Sequence, residues 1–222
     1  MNKKIIWIVL CTIIVGAIFI IVVKKTDLFS NSNINLTELS KIGENDIILG
    51  DYNATNSIIL FYNYNCKFCV KFFNEVYPEL NKEYINKGKL NIILKLVCNP
   101  TDKAALKAYQ TVVCINKFGN FQKLHKLLLY KGEIIYTNNF KELEEEYINT
   151  NNFVGECMMN SNGNDIKKNI SQFQKVNTRG TPTFIIGKQI LKGYKSFERL
   201  SEIIDSEFNL NANKKENYEE VF

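Results

Sequence analysis

A chain of 222 residues, 45% of them apolar, is ample for one globular domain with appendages. Its formal charge of +5 is weighted to the N-terminus, where Lys3, Lys4 and Lys24 occur with no acid. Without those three, 25 of the 28 basic side chains face 23 acidic ones, too even a balance to point to nucleic acid as a partner.

In chain order, the first signal is Ile5 to Val23, 19 residues without a charge or proline, flanked by Lys3-Lys4 and Lys24-Lys25. As a helix it would run about 28 Å, enough to cross a bilayer core. Lys24-Lys25-Thr26-Asp27 offers no small-x-small cleavage site, so residues 1–24 are predicted to be an uncleaved transmembrane signal-anchor. Cys11 lies inside this span behind a bulky Leu10, a poor setting for lipidation. Residues 25–44 are polar and read as a tether, and the folded domain is expected over residues 45–207. A short strand at Asp46 to Leu49 precedes a turn at Gly50-Asp51.

The run Ile58-Ile59-Leu60-Phe61-Tyr62 is apolar on both alternating faces, as in a strand buried within a parallel sheet. After it the period becomes helical: Cys69, Phe73, Val76, Leu80 and Tyr84 share one face, opposite Lys71, Glu75, Glu79 and Lys82. Cys66 therefore stands where a strand hands over to a helix N-terminus, whose free N–H groups and dipole favour a thiolate. Cys69 falls on the apolar stripe and is expected to be its buried partner. Lys67 adds a positive charge beside Cys66. Half a zinc site is the competing reading, but no second Cys-x-x-Cys and no pair of histidines completes it. The only histidine, His125, falls in the middle of a helical run. Two core cysteines, or a membrane-tethered metal- or peptide-binding module holding a soft ion such as copper, are further alternatives.

Pro78 is predicted to kink the helix, which ends near Gly88. Leu90 to Val97 forms the next buried strand, closed by Asn99-Pro100. From Thr101, read as an N-cap, the pattern stays helical to about residue 175. Segments fall at Leu106–Cys114, Phe121–Tyr130, Phe140–Ile148 and Asp165–Lys175. Glu144-Glu145-Glu146 reads as a solvated helix face. A strand from Thr183 to Ile186 turns at Gly187-Lys188 into a return strand through Gln189 to Leu191. Ser196 caps a last helix with Phe197, Leu200, Ile203, Ile204 and Phe208 inward, and the tail over 208–222 is polar. Six cysteines suit an oxidising compartment.

The segment Cys66-Lys67-Phe68-Cys69-Val70-Lys71-Phe72-Phe73-Asn74-Glu75-Val76-Tyr77-Pro78-Glu79-Leu80 resembles the active-site helix of DsbA-like thiol–disulfide oxidoreductases, a branch of the thioredoxin superfamily. Arg179-Gly180-Thr181-Pro182-Thr183-Phe184-Ile185-Ile186-Gly187 is similar to that family's cis-proline segment. The resemblance covers about residues 45–207. It implies an α/β thioredoxin-like fold with an inserted helical domain over about 101–175, here preceded by one N-terminal transmembrane helix. It also implies that Cys66 attacks or is attacked, that Cys69 resolves the mixed disulfide, and that Thr181 and a cis Pro182 present an extended substrate. Some relatives carry a second, structural disulfide at positions matched by Cys114 and Cys157, two separate buried thiols being the alternative; Cys98 is then left over. No cofactor and no metal is implied. The implied partners are cysteine-containing exported proteins and a membrane redox partner, with the domain facing the periplasm or exterior of the inner (cytoplasmic) membrane. Disulfide donation is the implied direction, with a tethered reductase or isomerase of the same fold as the alternative. Two departures stand out: Leu60 occupies the place where many relatives carry an acid, and Lys67-Phe68 replaces the usual Pro-His.

Overall fold

In the computed structural model, residues 36–39 and 42–210 are described. The predicted membrane span, most of the tether and the tail beyond residue 210 lie outside them. Among the described residues no helix is long and apolar enough to cross a membrane.

Five strands make one mixed sheet in the order β1-β3-β2-β4-β5. They are β1 (Ile47–Leu49), β2 (Ser57–Tyr62), β3 (Asn91–Leu96), β4 (Thr183–Ile186) and β5 (Gln189–Lys192). β2 and β3 run parallel, while β1–β3, β2–β4 and β4–β5 are antiparallel. The two parallel strands are covered on both faces, which explains their unbroken apolar runs. Leu60, beside Phe184 in the register, shares the face on which Phe184 meets Phe72 at 5.1 Å between ring centroids. Phe61 points the other way, onto Phe173 at 5.3 Å. The two polar residues inside β3 are paired: Lys95 Nζ meets Asp46 at 2.7 Å, and Asn91 donates to the Asp51 carbonyl at 2.8 Å. A buried charge is tolerated only when matched in this way.

The helices are α1 (Leu36–Leu39), α2 (Lys67–Glu75), α3 (Tyr77–Leu80), α4 (Lys103–Phe118), α5 (Phe121–Tyr130), α6 (Asn138–Thr150), α7 (Asn152–Asn160), α8 (Asn164–Lys175) and α9 (Phe197–Glu207). The single kinked helix expected from Cys66 to Gly88 is broken earlier, at Val76. Pro78 sits in the first turn of α3, where its missing N–H costs no hydrogen bond. A π-helical turn, Asn81–Ile85, completes the run. Gly88, three residues past its end, takes a left-handed φ of 66°.

Thr101 does not cap α4. Asp102 does, accepting from the Ala105 N–H at 3.0 Å, while Thr101 is held by the Asn99 side chain. α7 was not legible as a helix, because Phe153 and Met159 are exposed and its apolar residues form no single stripe. Its start is fixed by Asn151, which accepts from Phe153 and Val154. Glu144 corrects the solvated-face reading: it is buried, bridging Lys107 Nζ and the Thr111 hydroxyl of α4, each at 2.6 Å. Glu145 and Glu146 are exposed. Ser196 caps α9, whose Leu200, Ile203 and Ile204 are buried, but Phe208 follows the helix and is only half-buried.

Two contacts tie the helical block together and to the sheet. A disulfide joins Cys114 of α4 to Cys157 of α7 across 43 residues of sequence. Gly132, in a 3₁₀ turn over Gly132–Tyr136, presses its Cα against the Tyr64 backbone. Any Cβ there would meet the Tyr64 carbonyl oxygen.

Candidate active site

The turn after β2 is built by short polar side chains. Asn63 Oδ1 accepts from the Asn65 N–H at 2.7 Å, and the Cys66 N–H donates to the Asn63 carbonyl at 3.0 Å. Asn63 Nδ2 reaches the Val97 carbonyl at 3.1 Å, pinning the turn to the end of β3. The helical block holds the other side. The Tyr64 N–H donates to Tyr109 Oη at 3.2 Å, and Asn65 Nδ2 donates to Tyr136 Oη at 3.3 Å; Tyr136 in turn donates to Asp102 at 2.7 Å. The sequence did not single out these tyrosines, because an aromatic at helical spacing reads as core.

Cys66 emerges as the N-cap of α2, with extended backbone and a half-exposed side chain. Its carbonyl accepts from Cys69 and Val70, so Cys69 lies one turn further in, fully buried. Both are free thiols. The Thr181–Pro182 peptide is cis, and Cys66 Sγ as a thiol donates to the Thr181 carbonyl at 3.0 Å. The structure thus gathers Cys66, Cys69, Thr181 and Pro182, the two pairs being separated by more than a hundred positions in sequence.

The two sulfurs have opposite acidities. The Cys66 thiol is lowered to about 5, first by a hydrogen bond from the Cys69 thiol, against the opposing effect of burial. Thr181 and the backbone N–H groups of Cys69 and Phe68 lower it further. Cys69 is pushed far above the ordinary thiol range, chiefly by burial and then by that same bond to Cys66. Lys67 Nζ is turned over the Phe68 ring, 5.4 Å from its centroid, and it is not among these causes. Cys98, half-buried at the end of β3, is raised to about 11 by burial and then by Asp102. At neutral pH, Cys66 is therefore the thiolate of the three. Among the described residues, no three of His, Cys, Asp or Glu are grouped so as to hold a metal ion.

A thioredoxin-type sheet with a reactive and a buried thiol one turn apart, facing a cis-proline loop, defines the class of dithiol–disulfide proteins. The comparisons agree with the fold. A family model described as Thioredoxin matches residues 43–206, and the chain belongs to that family. It is 22% identical over 193 residues to a Rickettsia prowazekii protein provisionally named a protein-disulfide oxidoreductase, covering 80% of this chain and 67% of that one. Disulfide bond formation protein D of Bacillus subtilis is 20% identical over 178 residues, covering 72% of this chain and 76% of the other. The crystal structure of Wolbachia pipientis alpha-DsbA1 superposes with a TM-score of 0.61 at 22% identity, covering 80% of this chain and 98% of that one. The chain spans about two thirds of the length of its curated Rickettsia relatives.

Proposed function

We propose that this chain is a protein thiol–disulfide oxidoreductase that donates disulfides to cysteines of exported proteins, exchanging at Cys66 and resolving through Cys69. The observation that carries this reading is the asymmetry of the pair: Cys66 is accessible and lowered to about 5, while Cys69 is buried and raised. In the forward direction a substrate thiolate attacks Cys66 Sγ, the Cys66–Cys69 bond breaks, and Cys69 leaves as a thiolate that takes up a proton. A second substrate thiolate then attacks the substrate sulfur of the mixed disulfide, and Cys66 leaves as a thiolate. Two electrons pass from substrate to protein, and a membrane redox partner takes them on. Thr181 and Pro182 flank the sulfur, so an extended substrate segment pairs with the Thr181 backbone by strand addition.

Donation is favoured because a thiolate held near pH 5 stabilises the reduced protein, which makes its disulfide a better oxidant. Equilibration with glutathione redox buffers is expected to give a potential above about −200 mV; a value near −270 mV, thioredoxin's, would turn the reading to a reductase. The structural disulfide Cys114–Cys157 suits an oxidising compartment outside the cytoplasm.

The anchor belongs to the same proposal. Residues 5–23 are apolar and uncharged, so the full-length chain is expected to stay with membranes through an alkaline carbonate wash. Protease added outside the cytoplasmic membrane should digest the domain. Recovery of a soluble form starting near residue 25 overturns this placement.

A further inference from the structure

The two segments that build the site carry charge of one sign only. Residues 52–74 and 166–197, a quarter of the chain, hold nine Lys or Arg and no Asp or Glu, although the whole chain has 28 of the first kind and 23 of the second. Not all nine face the sulfur. Lys188 follows β4 at the far end of the sheet, where Ile186 pairs with Ile58 and the Lys188 N–H donates to Glu207 at 2.7 Å. Lys71 is matched by Glu75 at 3.6 Å. Four of the others stand within two or three residues of Cys66 or Pro182: Lys67, Arg179, Lys192 and Lys195.

Their backbones are fixed close to the reacting atoms. Lys67 follows Cys66 directly and is exposed. Arg179 lies two residues before Thr181, whose carbonyl is 3.0 Å from Cys66 Sγ, so the Arg179 and Thr181 Cα atoms are at most about 7.6 Å apart. Lys192 pairs with Thr183 in the β4–β5 register, and the Gly193 N–H donates to the Pro182 carbonyl at 2.8 Å. None of the four forms an ion pair among the described residues. Arg179 is exposed, and its guanidinium makes no hydrogen bond there. Lys192 Nζ donates to the Asn177 carbonyl at 3.1 Å, and Lys195 Nζ to the Lys192 and Tyr194 carbonyls at 2.6 and 3.3 Å, all neutral partners. The acids around the site are engaged or lie to one side. Glu75 holds Lys71 and the Tyr194 hydroxyl, and Asp102 accepts from Tyr136. Glu133 is on the inserted block, and Glu198, in the first turn of α9, offsets one of the four cations. The cis-proline side of Cys66 is thus a bank of exposed, unmatched positive charge.

We propose that the proteins oxidised at Cys66 carry acidic side chains beside the exchanging cysteine, on the part of the segment that lies along the cis-proline loop. Arg179 and Lys192 are the specificity-determining residues that meet them. The inference rests on the thiol–disulfide exchange proposed above and keeps its chemistry. The substrate dithiol loses two electrons to the Cys66–Cys69 disulfide, and of its two protons one goes to Cys69 and the other to solvent. Opposite charges steer the segment in and fix its register, whereas a lysine-flanked cysteine is repelled on approach. Because the cations are exposed, salt screens the preference: the Debye length falls from about 30 Å at 0.01 M to about 3 Å at 1 M.

The test uses oxidised full-length protein in a non-ionic detergent and three reduced dicysteine peptides, in which the first cysteine is flanked by Glu, Gln or Lys. Acid-quenched samples are read by mass spectrometry for the peptide disulfide. Each rate is divided by that of the same peptide with 2,2′-dithiodipyridine, an uncharged disulfide, which removes the effect of the flanks on the peptide thiol itself. The normalised rate is expected to be about 10-fold higher for the Glu than for the Lys peptide at about 0.01 M salt, the lower range of electrostatic steering. At about 1 M the two should agree within about twofold. Arg179→Gln with Lys192→Gln should remove most of the low-salt ratio. Lys89→Gln with Lys188→Gln makes the same change in net charge at the far end of the sheet, before β3 and after β4, and should keep it. Equal normalised rates at low salt, a ratio indifferent to salt, or equal loss of the ratio in both double variants overturns the proposal. If Arg179→Gln with Lys192→Gln does not fold, Arg179→Gln alone decides on the same criteria, at an exposed position with no partner to lose. A parent protein that oxidises none of the three peptides refutes the exchange reading itself, a separate outcome that takes the proposal with it.

Discussion

Replacing Cys69 with Ala is expected to leave Cys66 joined to oxidised substrates as long-lived mixed disulfides. They form when its thiolate attacks a substrate disulfide and displaces one sulfur as a thiolate, and they are seen as additional bands without reductant that are lost with it. Cys66 is the accessible sulfur and the only one of the pair ionised at neutral pH, so it alone makes the covalent link. Cys66→Ala should trap nothing. The remaining thiol is fully buried, and even an ordinary cysteine is only about 3% thiolate at pH 7. The same asymmetry predicts a pH profile. Because the folded value lies below that of a free thiol, the rate of Cys66 alkylation by iodoacetamide should rise with pH through a midpoint near 5 and then stay flat to neutrality. The stability that the thiolate lends to the reduced fold has the matching sign. It is complete above the ordinary thiol value and is lost as pH falls through about 5. Equal trapping by both variants, or an alkylation midpoint near 8.5, would count against these roles.

The second large effect is on stability. The Cys114–Cys157 bond closes 43 residues of chain, which in the chain-entropy account contributes about 4 kcal/mol. Replacing both residues with Ala should lower Tm by ~10 °C for a domain of this size while Cys66 still reacts at its parent rate. The loss comes from two sources, a freer unfolded chain and the weakened docking of α7 on α4, whose only other covalent link is the chain itself. A double variant that melts with the parent would show that the packing of Val154 and Gly155 holds α7 without help.

Much of the sheet could be read before the structure because its physics is local. The switch from a two-sided apolar run to a helical stripe falls at Cys66, and the five strands lie close to where alternation and turn residues put them. What escaped depended on partners distant in sequence. Glu144 looks solvated until Lys107 and Thr111, 37 and 33 positions away, are seen to meet it. His125 reads as a lone histidine on an apolar stripe until Tyr64, 61 positions away, is seen at its Nδ1. Helix α7 hides because Phe153 and Met159 face solvent. The cysteine partnership across 43 residues has no local signature, and only the likeness to a family suggested it.

The approach of Gly132 to the Tyr64 carbonyl bears on how separable the two parts of this domain are. The turn that delivers Cys66 is held to the inserted helices by the Tyr109 and Tyr136 hydrogen bonds and, at Gly132, by a contact that admits no side chain. Exchanging that helical block for one from a relative would therefore carry over a new resting position for the sulfur, even with every residue of the sheet and of the Cys66–Cys69 helix kept. Insert and catalytic half behave as one unit of inheritance, and a chimaera joined anywhere between Pro100 and Lys175 has to bring the small residue at 132 and the turn before Cys66 together.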